Sequence, residues 1–127
     1  MDTTDTTKGS PSTDPTEVAM GLIVGAGDAR SFCLEAITAA REGDFDEARD
    51  LLEKAVQAMV ETHEVQTQLI RDEMTGTPSE VTLLMVHAQD HLNLAMITRE
   101  IAEELIQVYE RLSALEGKEH APHCDDL

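Results

Sequence analysis

The sequence predicts an all-α protomer, an antiparallel bundle of three long helices, and three observations predict it. Aromatic residues are scarce, with two Phe, one Tyr and no Trp in 127 residues. The periodic segments are built instead from Ala, Leu, Glu, Met, Val and Ile, most of which lose little on entering a helix. Start signals of one kind then recur at Asp14-Pro15-Thr16-Glu17, Asp44-Phe45-Asp46-Glu47 and Thr77-Pro78-Ser79-Glu80. Each sets a capping side chain three places before a Glu, and two put Pro at the first helical position, where its missing N–H costs nothing. Stop signals separate them: Gly43, the Thr75-Gly76-Thr77-Pro78 segment and Gly117. A glycine past the last helical residue can take the left-handed conformation that ends a helix.

The first helix is expected over 15–42. Its stretch Gly21-Leu22-Ile23-Val24-Gly25-Ala26-Gly27 carries glycines that each cost on the order of 1 kcal/mol relative to Ala in a helix. That cost implies close packing there, either a tight helix–helix contact or an approach of backbone to a polar layer on a neighbour. The second helix is expected over 45–73. One face holds Val56, Met59 and Ile70 together with His63, Gln66 and Thr67, a pattern that suits a hydrogen-bonded layer in a core as well as a site. Short connections make successive helices antiparallel.

The third helix, expected over 78–116, has more apolar surface than one hairpin can cover. A heptad stripe runs Leu84, His87, His91, Leu94, Thr98, Ile101, Leu105, Val108, Leu112, Leu115, with the alternating spacing of a coiled-coil seam. A second holds Val81, Met85, Ala88, Leu92, Ala95, Ala102, Ile106 and Tyr109, and a third Leu83, Val86, Asp90, Asn93 and Ile97. Two partner helices cannot shield three stripes, so the third helix is expected to self-associate. Spacing alone does not set the number of copies.

Residues 1–13 are Thr, Ser, Asp, Gly and Pro with almost nothing to bury and read as a disordered tail. The helical domain is expected over 14–116, and 117–127 as a second flexible tail. Nine Lys plus Arg against 26 Asp plus Glu give a formal charge of -17, which argues against nucleic acid and anionic membrane surfaces as partners. The longest apolar run, 18–27, falls well short of the roughly twenty residues that span a bilayer, so no direct membrane insertion is expected. Cys33 and Cys124 are too few and too far apart for a disulfide framework or a thiolate zinc site, and no signal peptide precedes them. The expected compartment is the cytoplasm. In the C-terminal tail His120, His123, Cys124, Asp125 and Asp126 are metal-ligand types without a preorganised frame, and they read as solvated.

Chemistry concentrates in Val86-His87-Ala88-Gln89-Asp90-His91-Leu92, where two imidazoles and a carboxylate interrupt an apolar helix. His87, Asp90, His91 and Leu94 are at i, i+3, i+4 and i+7, so the histidines stand one turn apart on one side. Three roles suit that geometry: a transition-metal pair, a nucleophile or phosphate acceptor at His87, or a satisfied polar network that fixes register. Ala88 after His87 rules out the zincin pattern.

Together with Met20-Gly21-Leu22-Ile23, Ala29-Arg30-Ser31, Glu42-Gly43-Asp44-Phe45 and His63-Glu64-Val65-Gln66-Thr67-Gln68-Leu69-Ile70, that block resembles the enzyme IIA component of the lactose and cellobiose/chitobiose phosphoenolpyruvate-dependent sugar phosphotransferase systems. The resemblance runs over nearly all of 17–115. It implies that His87 is the phosphorylated histidine, and that three-helix protomers assemble as a nine-helix, coiled-coil-like homotrimer. It also implies that Asp90 lies at the three-fold axis around one metal ion shared per trimer; since carboxylate and amide oxygens favour a hard cation, the expected ion is Mg²⁺. The implied donor is phospho-HPr and the acceptor a cysteine of the cognate IIB component, which serves the membrane component IIC in disaccharide uptake. Ala88 leans towards the cellobiose or chitobiose branch rather than lactose. The family usually has Met after His91-Leu92, where this chain has Asn93, so the axis is expected to be more polar, with Asn93 a possible further ligand.

Since His87 is nine residues past Pro78, helix-terminal amides are expected to lie out of its reach, leaving side chains to hold the phosphoryl group. The candidates are Gln89, His91, His63, Gln66 and Thr67. Leu83, Leu84, Met85 and Ala88 are expected to offer partner proteins a neutral docking surface. The competing reading, from a different functional class, is a non-catalytic metal-binding helical scaffold.

Overall fold

The computed structural model describes residues 14–119, which form α1 (Pro15–Arg41), α2 (Phe45–Met74) and α3 (Leu83–Glu119). No strand occurs among the described residues. The proposed N-terminal tail, 1–13, and residues 120–127 of the proposed C-terminal one, including His120, His123 and Cys124, lie outside the described residues.

Both helix ends inside the chain are built on glycine. At the end of α1, Gly43 takes φ 85°, while its N–H donates to the Ala40 carbonyl and that of Asp44 to the Ala39 carbonyl. The end of α2 repeats the device, with Gly76 at φ 92° and the Thr77 N–H donating to the Asp72 carbonyl. These are Schellman turns, which need a left-handed residue just past the helix and satisfy carbonyls that would otherwise be orphaned. Asp44 serves twice, because its side chain also accepts from the Glu47 N–H at 3.2 Å and caps α2. Asp14 caps α1 by accepting from Thr16 N–H at 3.0 Å.

The third start signal is overturned. Residues 77–82 have no regular structure, because Thr77 is committed to the end of α2: its hydroxyl, like its N–H, donates to the Asp72 carbonyl. Thr82 caps α3 instead, its hydroxyl accepting from the Met85 N–H at 3.1 Å and its carbonyl from the Val86 N–H at 3.0 Å. The other end is corrected as well. Gly117 stays helical and α3 runs to Glu119, since a glycine that does not turn left-handed costs a helix only about 1 kcal/mol. At 37 residues the helix is about 55 Å long.

α1 packs along both of the other helices, which touch each other much less. Ala19 and Leu22 meet Met85 and Ala88, whereas Ala36, Ala39 and Ala40 meet Ala48 and Ile106. So α1 and α3 run the same way and α2 runs against both. The core is built mainly of alanine, with Leu22, Leu92, Ile106 and Cys33 the largest fully buried side chains. Small residues at a three/four spacing let helix axes approach closely. Gly25 goes further, since a Cβ there would collide with the buried Thr62 hydroxyl of α2. Gly21 and Gly27 face open space, so the close approach expected of this glycine-rich stretch holds at one position.

Of the three apolar stripes on α3, the one through Met85, Ala88, Leu92, Ala95, Ala102 and Ile106 is buried. Val81 is not part of it, because the helix starts after it and leaves its side chain exposed. The other two stripes point outward: Leu83, Val86, Leu94, Ile97, Ile101, Val108, Leu112 and Leu115 are all exposed.

Candidate functional site

Because α3 begins at Leu83, His87 is its fifth residue rather than one nine places deep. The later start brings the imidazole to the second turn of the helix, nearer the positive end of the macrodipole than a start at 78 would place it. The expectation that helix-terminal amides lie out of its reach rests on a start at Pro78, five residues before the observed Leu83.

His87 lies at the border between the buried stripe and the outward apolar face, and its side chain is exposed. One turn on, the half-buried His91 meets it edge to face: ring centroids are 4.5 Å apart at 85°, and the two Nε2 atoms lie 3.1 Å apart. Between two neutral imidazoles such a contact is a hydrogen bond, with one ring donating and the other accepting. Asp90 is exposed and shares the outward side of α3 with Leu83, Leu94, Ile97 and Ile101. Asn93, one turn further, is exposed too.

The remaining candidates do not gather around His87. Gln89 is two residues on, hence on the far side of the helix. There its Oε1 accepts from Gln66 Nε2 at 2.6 Å, and its own amide approaches Met85 Sδ at 3.7 Å. This amide pair ties α2 to α3 along a groove of about 200 Å³ lined in part by Leu69, Ile70, Val86 and Gln89. His63 is exposed and Thr67 turns back on its own helix, donating to the His63 carbonyl at 3.0 Å. The polar layer expected in the core of α2 is thus mostly at the surface, and only Gln66 reaches α3. The neutral docking surface also shrinks. Met85 and Ala88 are buried, Leu84 is half-buried, and Leu83 is 86% exposed.

Among the described residues of one chain, no group of three or more His, Cys, Asp or Glu is placed to hold a metal ion. A divalent ion on Asp90 therefore requires further copies of the chain. Cys33 is not part of the site. It is sealed between Ala55 and Ala102, and burial pushes its thiol above the ordinary range, opposed by the nearby Arg99 guanidinium. That makes it an inert core residue. Two residues were not singled out in the sequence: Thr82, which sets where α3 starts, and Thr62, which receives Gly25. A Thr immediately before the apolar run Leu83-Leu84-Met85-Val86 was the available signal for the first. Thr62 carried none, since its role depends on the backbone of another helix.

No described helix is long and apolar enough to cross a membrane. Residues 17–110 match the family described as "PTS system, Lactose/Cellobiose specific IIA subunit". The lichenan-specific phosphotransferase enzyme IIA component of Bacillus subtilis (strain 168) is 43% identical over 101 residues, covering 80% of this chain and 92% of that protein. The crystal structure of the PTS cellobiose-specific enzyme IIA from Bacillus anthracis superposes with a TM-score of 0.78 at 39% identity, over 82% of this chain and 95% of the other. The IIA(Chitobiose) protein of Escherichia coli, solved in solution as its complex with HPr, superposes with a TM-score of 0.67 at 41% identity, over 76% and 94%. With its three-helix fold, its His87–His91 block and these likenesses, the chain belongs to the lactose/cellobiose-specific IIA family and is a phosphotransferase component of a sugar phosphotransferase system.

Proposed function

We propose that this chain accepts a phosphoryl group from phospho-HPr on His87 and passes it to a cysteine of a cognate IIB component. The IIB component serves a membrane IIC in disaccharide uptake, and the relay runs in the cytoplasm. The observation that carries the reading is the placement of His87: an exposed imidazole near the positive end of α3, held by a second imidazole and beside exposed apolar surface. A neutral ring nitrogen can accept a phosphoryl group at physiological pH, and a loose transition state asks the protein mainly for positioning and charge stabilisation. The complex of the E. coli IIA(Chitobiose) with HPr supports the donor. Ala88 is what supports a cellobiose- or chitobiose-type sugar over lactose, since lichenan- and chitobiose-specific relatives at 43% identity and a lactose-specific one at 41% are about equally similar to this chain. Of the side chains proposed to stabilise the phosphoryl group, His91 has the strongest support, since Gln89 and Gln66 bond to each other and Thr67 to the His63 carbonyl of its own helix.

The assembly proposed is a homotrimer through the outward stripes of α3, which would cover apolar side chains that a single chain leaves in water. Three copies of Asp90 would then share one Mg²⁺, whose charge offsets the repulsion of three like charges brought together in an apolar seam. Carboxylate and amide oxygens suit a hard cation, and Asn93, exposed one turn beyond Asp90, would add neutral ligands if its amide faces the axis.

The test is incubation with phosphoenolpyruvate and the general phosphotransferase proteins, followed by mass mapping. The chain should gain one phosphoryl group on His87. His87→Gln should keep its helix content and gain none, whereas His91→Gln should remain measurably active. Transfer that leaves His87 unmodified would overturn the proposal, and absence of any transfer would leave the scaffold reading in its place.

A further inference from the structure

The contact between the two Nε2 atoms restricts what His87 can do. If His87 donates, its lone pair is on Nδ1, the nitrogen beside its own Cβ and helix. If His91 donates, the lone pair of His87 is on Nε2, at the far end of an exposed ring where a partner protein can reach. Resting on the reading of His87 as phosphoryl acceptor, we propose that His91 is a positioning residue. Its Nε2–H donates to His87 Nε2, holds His87 in the Nδ1–H tautomer, and then hands the same N–H to the incoming phosphoryl oxygens.

Chemically, the donor's N–P bond breaks with its electron pair returning to the donor imidazole, and the Nε2–P bond of His87 forms. Charge balances as the Nδ1 proton of His87 is lost to solvent while the departing imidazole gains one. His91 must swing off the lone pair first. One hydrogen bond between partly exposed neutral rings contributes about 1 kcal/mol, so its release is a small barrier. The replacement bond, from N–H to a charged oxygen, is the stronger of the two. The arrangement follows directly from the helix, because i, i+4 spacing is what stacks the two rings. It uses His91 twice, before the transfer as a tautomer lock and after it as a donor.

The experiment is nitrogen NMR on the full chain with labelled histidine, under conditions where both rings are neutral. His87 should show a protonated Nδ1 and bare Nε2, and His91 a protonated Nε2. In His91→Leu, with helix content unchanged, His87 should revert towards the Nε2–H form that an unconstrained imidazole prefers. The rate of phosphoryl acceptance should fall about tenfold, the effect of one lost hydrogen bond in the transition state. His91→Gln, which keeps an N–H at similar reach, should restore much of that rate. A protonated Nε2 on His87 in the unmodified chain overturns the proposal, as does a tautomer indifferent to His91→Leu. So do equal rates in the Leu and Gln variants. The tautomer is read on the unphosphorylated chain, so it stands or falls separately from where the phosphoryl group goes.

Discussion

Leu92 and Leu94 are two residues apart on one helix, yet the first is 0% exposed and the second 54%. They stand for two regions of the molecule. Towards α1 and α2, α3 presents a seam largely of small residues, Ala88 and Ala95 against alanines of α1 and Ala102 against Cys33 and Ala55. Away from them it presents large branched side chains, Leu83, Ile97, Ile101 and Val108, to solvent. Burying a large apolar side chain is worth roughly 1.5–3 kcal/mol. Exposing so many large apolar side chains on one side of a helix, while packing mainly alanine on the other, leaves apolar surface that only a contact beyond the single chain could bury. The residues with chemistry lie on or beside that outward side: Asp90 within it and His87 at its edge.

The sharpest way to break this division is to exchange leucine for alanine on each side. Leu92→Ala should cost about 2–5 kcal/mol, the range for a large-to-small change in a closed core, and lower Tm at every protein concentration. Leu94→Ala should lower Tm only at concentrations where chains associate, because in a lone chain it removes an exposed group. Equal losses from the two would erase the distinction between the faces. A smaller effect comes from the glycines of α1. Gly25→Ala sets a methyl against Thr62, whose hydroxyl is already tied to the Ala58 carbonyl at 2.8 Å and whose Cβ and Cγ2 lie 3.3 and 3.4 Å from the new carbon. The cost should be about 1–3 kcal/mol. Gly21→Ala, with nothing within 4 Å, should stabilise by about 0.5–1 kcal/mol through helix propensity and a less flexible unfolded chain. Chemical denaturation of both variants checks the pair.

How far the sequence could be read follows the same inner and outer division. Periodicity groups the residues of the buried stripe of α3 almost one for one, because side chains at three/four spacing share a face, but it does not say which of the three stripes the other helices cover. The two glycine turns were legible for a local reason, the left-handed φ that each Schellman turn needs. The start of α3 was not. Thr77-Pro78-Ser79-Glu80 has the right residue types, but Thr77 was already spent on the end of α2, and nothing in a linear reading ranks one hydroxyl's two possible partners. The site was legible only in part. His87 and His91 meet because helical spacing alone brings them together, whereas Gln66 pairs with Gln89 across two helices, and His63 and Thr67 share their stripe without sharing its burial. Where a site depends on one helix, sequence spacing is enough. Where it depends on how a helix is rotated against its neighbour, it is not.

The central claim is that the outward face of α3 works between molecules, and sedimentation at low protein concentration tests it most directly. The unmodified chain should sediment as a trimer that loosens when a chelator removes divalent ions. Asp90→Leu should stay trimeric and ignore the chelator, since an apolar seam is often as stable as the charged one it replaces. Ile101→Asp, changed at a site 52% exposed in the single chain, should keep its helix content and sediment as one chain. An unmodified protein that sediments as a monomer with divalent ion present, or an Ile101→Asp variant that assembles as the unmodified chain does, would contradict the account.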